Sequence, residues 1–450
     1  MKRKDKKTDR GARLSRAACG LLAVALLASR MIADDEILTL EQAVKMALSG
    51  NERAITADQS VEAASARVLK ARAFFLPNVN VSGTYTRRPF ETVRVIGGVP
   101  IIVQSLNALS GVASLSMTVF DSKSLPTLMQ ANADRDAEAF SMVDAKRKLA
   151  FDVGNAFLAT LSIDQLMEAS KRRYDFSKKS LDASRARYSA GLVSVNDVTR
   201  AELELANSEV GLTQIGGQVE ASYLNLGYLI NGPTPRKLRV PDFLIQAANE
   251  APAAAEKLIL DAQSRRPDVQ SLRMRSKAQS SLALEPLLRW LPSLTLNGRY
   301  TYTNEAGLTG RSFNWNAGLT MSWSVFDGLT RNADYSERKA FTYQADLNLK
   351  AGLRKVDLDV RNALVSLQSA QAAIKRAEVA ESVARRNVAE TNELYRQGLS
   401  SALQVADAIV RQFEAEVALV QARYGLGIAY LSLEAALGLD PFGKEPPLES

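Results

Sequence analysis

The chain has 450 residues, of which 46% are hydrophobic and 24% charged, and its formal net charge is +8. These values are typical of a globular protein with one large or two medium domains. The positive charge is concentrated at the start, because the first 33 residues hold nine basic and two acidic residues. The rest has a net charge of only +1, which argues against a nucleic-acid partner.

Residues 1–33 have the three parts of a secretory signal peptide. A basic region precedes an apolar run at Gly20–Ala28, and small residues permit cleavage after Ala33. The apolar run is shorter than the roughly 20 residues that a spanning helix needs. Two other interpretations are a cytosolic chain with a basic tail and a start at Met31, which would remove the signal. The pattern favours an exported protein.

An internal repeat is the strongest feature of the sequence. Four segments return in the same order 206 to 215 residues later, and about nine extra residues separate the two strands of the first copy. The pairs are LPNVNVSGTYT (Leu76–Thr86) with LPSLTLNGRYT (Leu291–Thr301), SMTVFD (Ser116–Asp121) with SWSVFD (Ser322–Asp327), RYSAGLVSVNDV (Arg187–Val198) with LYRQGLSSALQV (Leu394–Val405), and SYLNLGYLIN (Ser222–Asn231) with AYLSLEAALG (Ala429–Gly438). Two tandem strand–helix units are therefore predicted.

The repeat predicts the domain organisation. The expected parts are a signal peptide at 1–33, repeat 1 at 34–231, an irregular Pro-rich linker at 232–253, repeat 2 at 254–438 and a tail at 439–450. Turns that contain glycine are predicted at 190–194 in the first repeat and at 397–401 in the second.

Very long helices are predicted in both repeats. No proline occurs in 127–232 or 293–440, and proline breaks helix interiors. Apolar residues from Leu353 to Ala377 follow a 3-4-3-4 spacing, which is typical of helices packed as in a coiled coil. In the first repeat we expect a helix of about 100 Å at 123–189, a shorter returning helix at 195–231 and another at about 39–75.

Two strands are predicted in each repeat. They lie at about 77–86 and 112–121 in repeat 1, and at about 292–303 and 313–326 in repeat 2. Each has one apolar and one polar face, which is typical of strands in a membrane β-barrel; a soluble hairpin with one buried face is the alternative. Four strands cannot close such a barrel, so the chain is expected to oligomerise through them. Two copies would supply eight strands and three would supply twelve.

In combination these features resemble the TolC family of outer-membrane efflux proteins. The resemblance rests on LTLEQAVKMALSGN (Leu38–Asn51), the LP before each first strand, the VFD step into a helix, and the turn Y-x-x-G-L-x-S. It implies a mainly α chain with a transmembrane β part. Three copies would form a homotrimer with a shared twelve-stranded β-barrel in the outer-membrane lipid and a periplasmic α-barrel of coiled-coil helices.

The function that the resemblance implies is a passive exit duct of a tripartite efflux or type I secretion system. Its partners would be a periplasmic adaptor protein and an inner-membrane transporter, and it would be gated at its periplasmic helical turns. The sequence does not specify the cargo.

The resemblance also implies site residues at the two helical turns. Asp197 matches a first-turn aspartate, and Tyr395 matches a second-turn tyrosine that bonds to it and helps to hold the tunnel shut. Asp407 matches an aspartate that forms one of two acidic rings at the entrance, and Gln404 replaces the aspartate of the other ring. Ser400 stands where some members carry an arginine that bonds within the gate. A single carboxylate ring still favours cations. Solvated helix-turn residues are the alternative. The residues expected to contact the adaptor are Gly191, Leu192, Ser194, Gly398, Leu399 and Ser401.

No enzyme, cofactor or metal site is expected. The chain has no histidine, and its only cysteine, Cys19, lies in the predicted signal peptide, which removes imidazole, thiol and most zinc chemistry. Ser336 and Lys339 form an S-x-x-K pattern, but neither SDN nor KTG follows, so a solvated helix face is favoured. A soluble periplasmic adaptor and a coiled-coil scaffold remain as alternatives, although neither explains four amphipathic strands.

Overall fold

The computed structural model describes residues 37–305 and 311–445. The predicted signal peptide lies outside the described residues. The described residues form two compact units. The first, here called the helical unit, comprises 37–56, Asp144–Arg266 and 356–445, and the second, the strand unit, comprises Ala57–Val143 and the described part of Pro267–Lys355. Within the described ranges, no helix is both long enough and apolar enough to cross a membrane.

The chain is mainly helical, with a smaller β part, as predicted. The helices are α1 (Leu40–Gly50), α2 (Glu52–Arg72), α3 (Ser124–Ser189), α4 (Val195–Ile230), α5 (Asp242–Ala248), α6 (Ala255–Arg265), α7 (Pro267–Leu282), α8 (Glu285–Leu288), α9 (Thr330–Arg396) and α10 (Ala402–Leu437), with a 3-10 turn at Ala73–Phe75. The strands are β1 (Ile37–Leu38), β2 (Asn78–Arg87), β3 (Thr92–Ile96), β4 (Val99–Gln104), β5 (Asn107–Phe120), β6 (Lys237–Leu238), β7 (Ser293–Thr303) and β8 (Phe313–Ser322).

The four longest helices lie in the proline-free intervals. Helices α3 and α9 have 66 and 67 residues, and α4 and α10 have 36 each. At 1.5 Å per residue, they span about 100 Å and about 54 Å. Each long helix is followed by a short turn and then by a helix of about half its length, as the sequence predicted.

The helix expected at 39–75 is broken at Asn51. Asn51 has an extended backbone (ψ 136°) and is almost fully buried. Its Nδ2 donates to the Leu229 carbonyl at 2.9 Å, and its Oδ1 accepts from the Arg53 N–H. In return, Asn231 Nδ2 donates to the Gly50 carbonyl at 2.7 Å. The side chains thus satisfy backbone groups that a helix end leaves open, so α1 ends against the end of α4 instead of continuing into α2.

The core of the helical unit lies beside the middle of α3. Apolar residues of α1, α4, α5 and α10 surround α3 there and are closely packed. The largest fully buried side chains of this cluster are Leu149, Val153, Phe157, Leu158, Leu226, Ile230, Leu244, Tyr424 and Leu431. They place the main apolar contacts well away from the two helical turns.

The linker is not irregular throughout, contrary to prediction. Strand β6 pairs in parallel with β1, and α5 follows directly, burying Leu244. Leu238 and Val240 pack against the core of the helical unit. The prolines limit regular structure in the linker to short elements, but burial of these apolar side chains still stabilises the fold.

In the strand unit, β2, β5, β7 and β8 form one antiparallel sheet in that order. Strand β5 begins at Asn107, five residues earlier than predicted, because the pairing with β2 continues to Arg87. Strand β8 ends at Ser322, before the predicted 326, and a side-chain bond from Trp323 Nε1 to the Trp290 carbonyl follows it. The extra residues of the first repeat form a separate hairpin, β3–β4.

Candidate functional site

The first helical turn joins α3 to α4 and is closed by backbone bonds. Gly191 has φ +71°, and the Leu192 N–H donates to the Arg187 carbonyl at 2.9 Å. A left-handed residue after a helix favours glycine, because a Cβ is strained there. Ser194 is the N-cap of α4, and its N–H and Oγ donate to Asp197 Oδ2 at 3.1 and 3.2 Å.

The second turn joins α9 to α10 and repeats this construction. Gly398 has φ +78°, and the Leu399 N–H donates to the Leu394 carbonyl at 2.9 Å. The Ser401 N–H donates to Gln404 Oε1 at 2.8 Å, and the Gln404 N–H donates to Ser401 Oγ at 3.3 Å. Ser401 and Gln404 therefore form a capping box.

Asp197 and Gln404 occupy equivalent positions at the starts of α4 and α10. Each side chain accepts a hydrogen bond from the N-cap residue three positions earlier. This bond requires an acceptor oxygen but not a charge. Glutamine can therefore stand in the second repeat where the first repeat has aspartate. Ser400 also uses this acceptor, since its Oγ donates to Gln404 Oε1 at 2.8 Å.

Tyr395 lies at the end of α9 and is held by Arg187 from the end of α3. The guanidinium carbon of Arg187 is 4.3 Å from the centroid of the Tyr395 ring, a cation–π distance. Arg187 Nη1 also donates to the Tyr395 carbonyl at 3.1 Å. Arg187 thus joins the two turns. This contact could not be predicted from the sequence, because the two residues are 208 positions apart.

The expected bond between Tyr395 and Asp197 is not present in this structure. The Tyr395 hydroxyl is buried without a hydrogen-bond partner in the described part of the chain, while the Asp197 carboxylate caps α4. Both residues line a small cavity of about 20 Å³ between the four helices, together with Ser184, Arg200 and Glu204. A cavity of that size has room for one water.

Asp407 lies on the exposed side of the first part of α10. Its Oδ1 is 3.6 Å from Arg411 Nε, and both side chains are about two-thirds exposed. Exposed pairs of this kind contribute little to stability. Asp407 is therefore a solvated carboxylate, and it does not line the cavity beside Tyr395.

Two apolar side chains project from the turns. Leu192 and Leu399, at equivalent positions of the two repeats, are 74% and 73% exposed. Gly191, Ser194, Gly398 and Ser401 shape the backbone beside them. Both leucines are therefore open to solvent at matched positions of the two turns.

The described residues contain no group of histidine, cysteine, aspartate and glutamate side chains that could hold a metal ion. Ser336 and Lys339 both lie exposed on α9, so their spacing follows from a solvated helix face.

Comparison with known proteins identifies relatives along most of the chain. The family model for outer membrane efflux proteins matches residues 43–232 and 258–439. The chain is 23% identical to nodulation protein T of Rhizobium leguminosarum bv. trifolii, over 88% of this chain and 84% of the relative. It is also 23% identical to outer membrane protein TolC of Vibrio cholerae, over 84% of this chain and 85% of the relative.

Solved structures show the same fold. The outer membrane protein VceC from Vibrio cholerae superposes with a TM-score of 0.74 at 18% identity, covering 89% of this chain and 96% of that one. The CmeC outer membrane channel of Campylobacter jejuni gives a TM-score of 0.75 at 18% identity, covering 90% and 86%.

Proposed function

Because the chain belongs to the outer membrane efflux protein family, we propose that it is the passive exit duct of a tripartite efflux or type I secretion system. It lies in the cell outer membrane, with its long helices in the periplasm. Cargo would pass from a periplasmic adaptor and an inner-membrane transporter to the exterior. The transporter would supply the energy, since the sequence has no phosphate-binding G-x-x-x-x-G-K-[ST] loop.

The observation that carries this proposal is the four-stranded sheet of the strand unit. One face is apolar and the other polar, and strands β2 and β8 have no sheet partner on their outer edges within the described chain. Unpaired backbone groups are very costly in lipid. Pairing β8 of one copy with β2 of the next removes every edge, and three copies close a twelve-stranded barrel with an aqueous lumen.

The helical turns are the proposed inner end of the duct. Leu192 and Leu399 supply apolar contacts for the adaptor, and the glycines and serines of the turns fix their position. Asp197, Tyr395, Gln404 and Asp407 are the proposed gate and constriction residues. The stacking of Arg187 on Tyr395 ties the two turns together, which supports a closed state that opens when they separate.

The proposal is tested with the full-length protein extracted in detergent. Single-channel conductance in planar bilayers is measured together with the mass of the assembly. Discrete conductance steps from a trimer are the expected result. A protein that fractionates as soluble and gives no conductance would refute the duct and favour a periplasmic adaptor or a scaffold.

A further inference from the structure

The two faces of the sheet can be assigned residue by residue from the strand register. Side chains alternate between faces along a strand, and directly paired residues share a face. One face carries apolar and aromatic residues, such as the row Val81, Ala113, Tyr300 and Trp315. The other carries mostly polar or small residues, such as the row Asn78, Ser116, Asn297 and Gly318.

Arg299 is the one charged residue on the polar face, among the paired residues that the structure describes. Its row across the four strands is Asn80, Ser114, Arg299 and Asn316. The Arg299 side chain is exposed and forms no hydrogen bond or ion pair with another described residue. Within the described strands, no carboxylate on this face balances its charge.

The position of Arg299 along β7 indicates which face meets lipid. It is the seventh of eleven residues in Ser293–Thr303, and so lies about 20 Å from the first at 3.3 Å per residue. An arginine that faces lipid near the middle of a bilayer is strongly destabilising. The polar face must therefore line the lumen of the barrel, and the aromatic face must meet the membrane.

We propose that Arg299 forms a ring of three guanidinium groups inside the β-barrel and makes that part of the duct favour anions. This inference rests on the trimeric duct proposed above. Twelve strands about 4.8 Å apart and tilted by about 40° close a cylinder of about 12 Å radius. The inward-pointing guanidiniums then lie within about one Debye length of the axis at 0.1 M salt. Every ion that passes is exposed to their charge.

The chemistry of the ring indicates the class of cargo that it favours. Guanidinium groups bind carboxylates and phosphates through paired N–H donors. The hydroxyl and amide groups of the neighbouring rows add uncharged hydrogen-bond partners. Anionic cargo with carboxylate or phosphate groups is therefore favoured in the β part over cationic cargo.

The test is the reversal potential of the trimer in a planar bilayer under a KCl gradient. Arg299→Gln is expected to raise the cation-to-anion permeability ratio about fivefold at 0.1 M salt, the effect of three unit charges about 10 Å from the axis after screening. Asn316→Asp places a carboxylate opposite Arg299 and should raise the ratio as well. Both shifts should shrink at 1 M salt, where the Debye length is about 3 Å.

Arg87→Gln is the matched control. Arg87 lies at the end of β2 on the aromatic face, so the substitution removes the same charge from the same sheet without changing the lumen. Conducting trimers in which Arg299→Gln leaves the permeability ratio unchanged, or shifts it no more than Arg87→Gln does, would overturn the Arg299 ring alone. Absence of any conductance in the unaltered protein would overturn the duct and the ring together.

Discussion

Arg187 offers the sharpest test of the proposed gate. Its guanidinium stacks on the Tyr395 ring at 4.3 Å and donates to the Tyr395 carbonyl at 3.1 Å. Arg187→Gln keeps a hydrogen-bond donor of shorter reach but removes the cation. If the stack holds the two turns together, this substitution should favour their separation.

The size of the effect follows from the contacts that are lost. A cation–π contact contributes from about 0.5 kcal/mol at an exposed site to about 2 when desolvated, and a hydrogen bond from a charged group contributes about 1.5–3 kcal/mol. Arg187 is half-buried, and glutamine retains part of the hydrogen bonding. We therefore expect the substitution to remove about 1.4 kcal/mol of stabilisation from the closed state. That value corresponds to a tenfold change in the ratio of open to closed states.

The assay is the open probability of single channels in planar bilayers, with Arg185→Gln as the matched control. Arg185 lies on the same helix and pairs with Glu202 at 2.8 Å, but both side chains are about half exposed, and such a pair contributes about 0–1 kcal/mol. Arg187→Gln should raise the ratio of open to closed states about tenfold, and Arg185→Gln should leave it nearly unchanged. Equal open probabilities in the two variants would refute the role of the stack.

Two further predictions concern the stability of the helical unit. Burial, and then the charge of Asp440, raise the pKa of Glu434. The protonated form, which stabilises the folded state, is therefore lost as pH rises through the raised pKa. Glu434→Gln should raise the thermal unfolding midpoint near pH 7 but not near pH 4. An equal shift of the midpoint at both pH values would contradict this. Asn51→Ala removes the buried bond to the Leu229 carbonyl and should lower the free energy of unfolding in urea by about 2–3 kcal/mol. Asn249, the residue after α5, makes only an exposed bond to the Ile245 carbonyl, so Asn249→Ala is the control, with a loss below about 0.5 kcal/mol.

The long helices and the four strands of the sheet were predicted from local patterns in the sequence. Proline-free intervals and the 3-4-3-4 spacing predicted the long helices, and alternating polar and apolar residues predicted the four strands. These signals succeed because the period of the apolar residues and the places where proline is absent are local properties of the sequence. The family assignment from the repeated motifs was confirmed by the match at 43–232 and 258–439.

The contacts that the sequence did not predict join residues far apart along the chain. The break at Asn51 depends on the Leu229 carbonyl, 178 residues away. The stack of Arg187 on Tyr395 joins the ends of two long helices that belong to different repeats. Neither contact has a local pattern, because its second partner is brought close only by the packing of the helices. The role of Asp197 as a cap, in contrast, was open to prediction from the spacing of Ser194 and Asp197.

That spacing raises a specific question about Asp197. In this structure its carboxylate caps α4, so a loss of function in Asp197→Ala would not distinguish a gating charge from a damaged helix end. The second repeat suggests a cleaner substitution, since Gln404 forms the same cap without a charge.

Asp197→Gln should therefore keep the cap and remove only the charge. We expect its free energy of unfolding to stay within about 0.5 kcal/mol of the unaltered protein, whereas Asp197→Ala should lose about 1 kcal/mol. If the carboxylate itself contributes to the gate, Asp197→Gln will change the ion selectivity or open probability in planar bilayers without a change in stability. If both channel properties are unchanged in Asp197→Gln and altered in Asp197→Ala, the role of this residue is to hold the start of α4 in place.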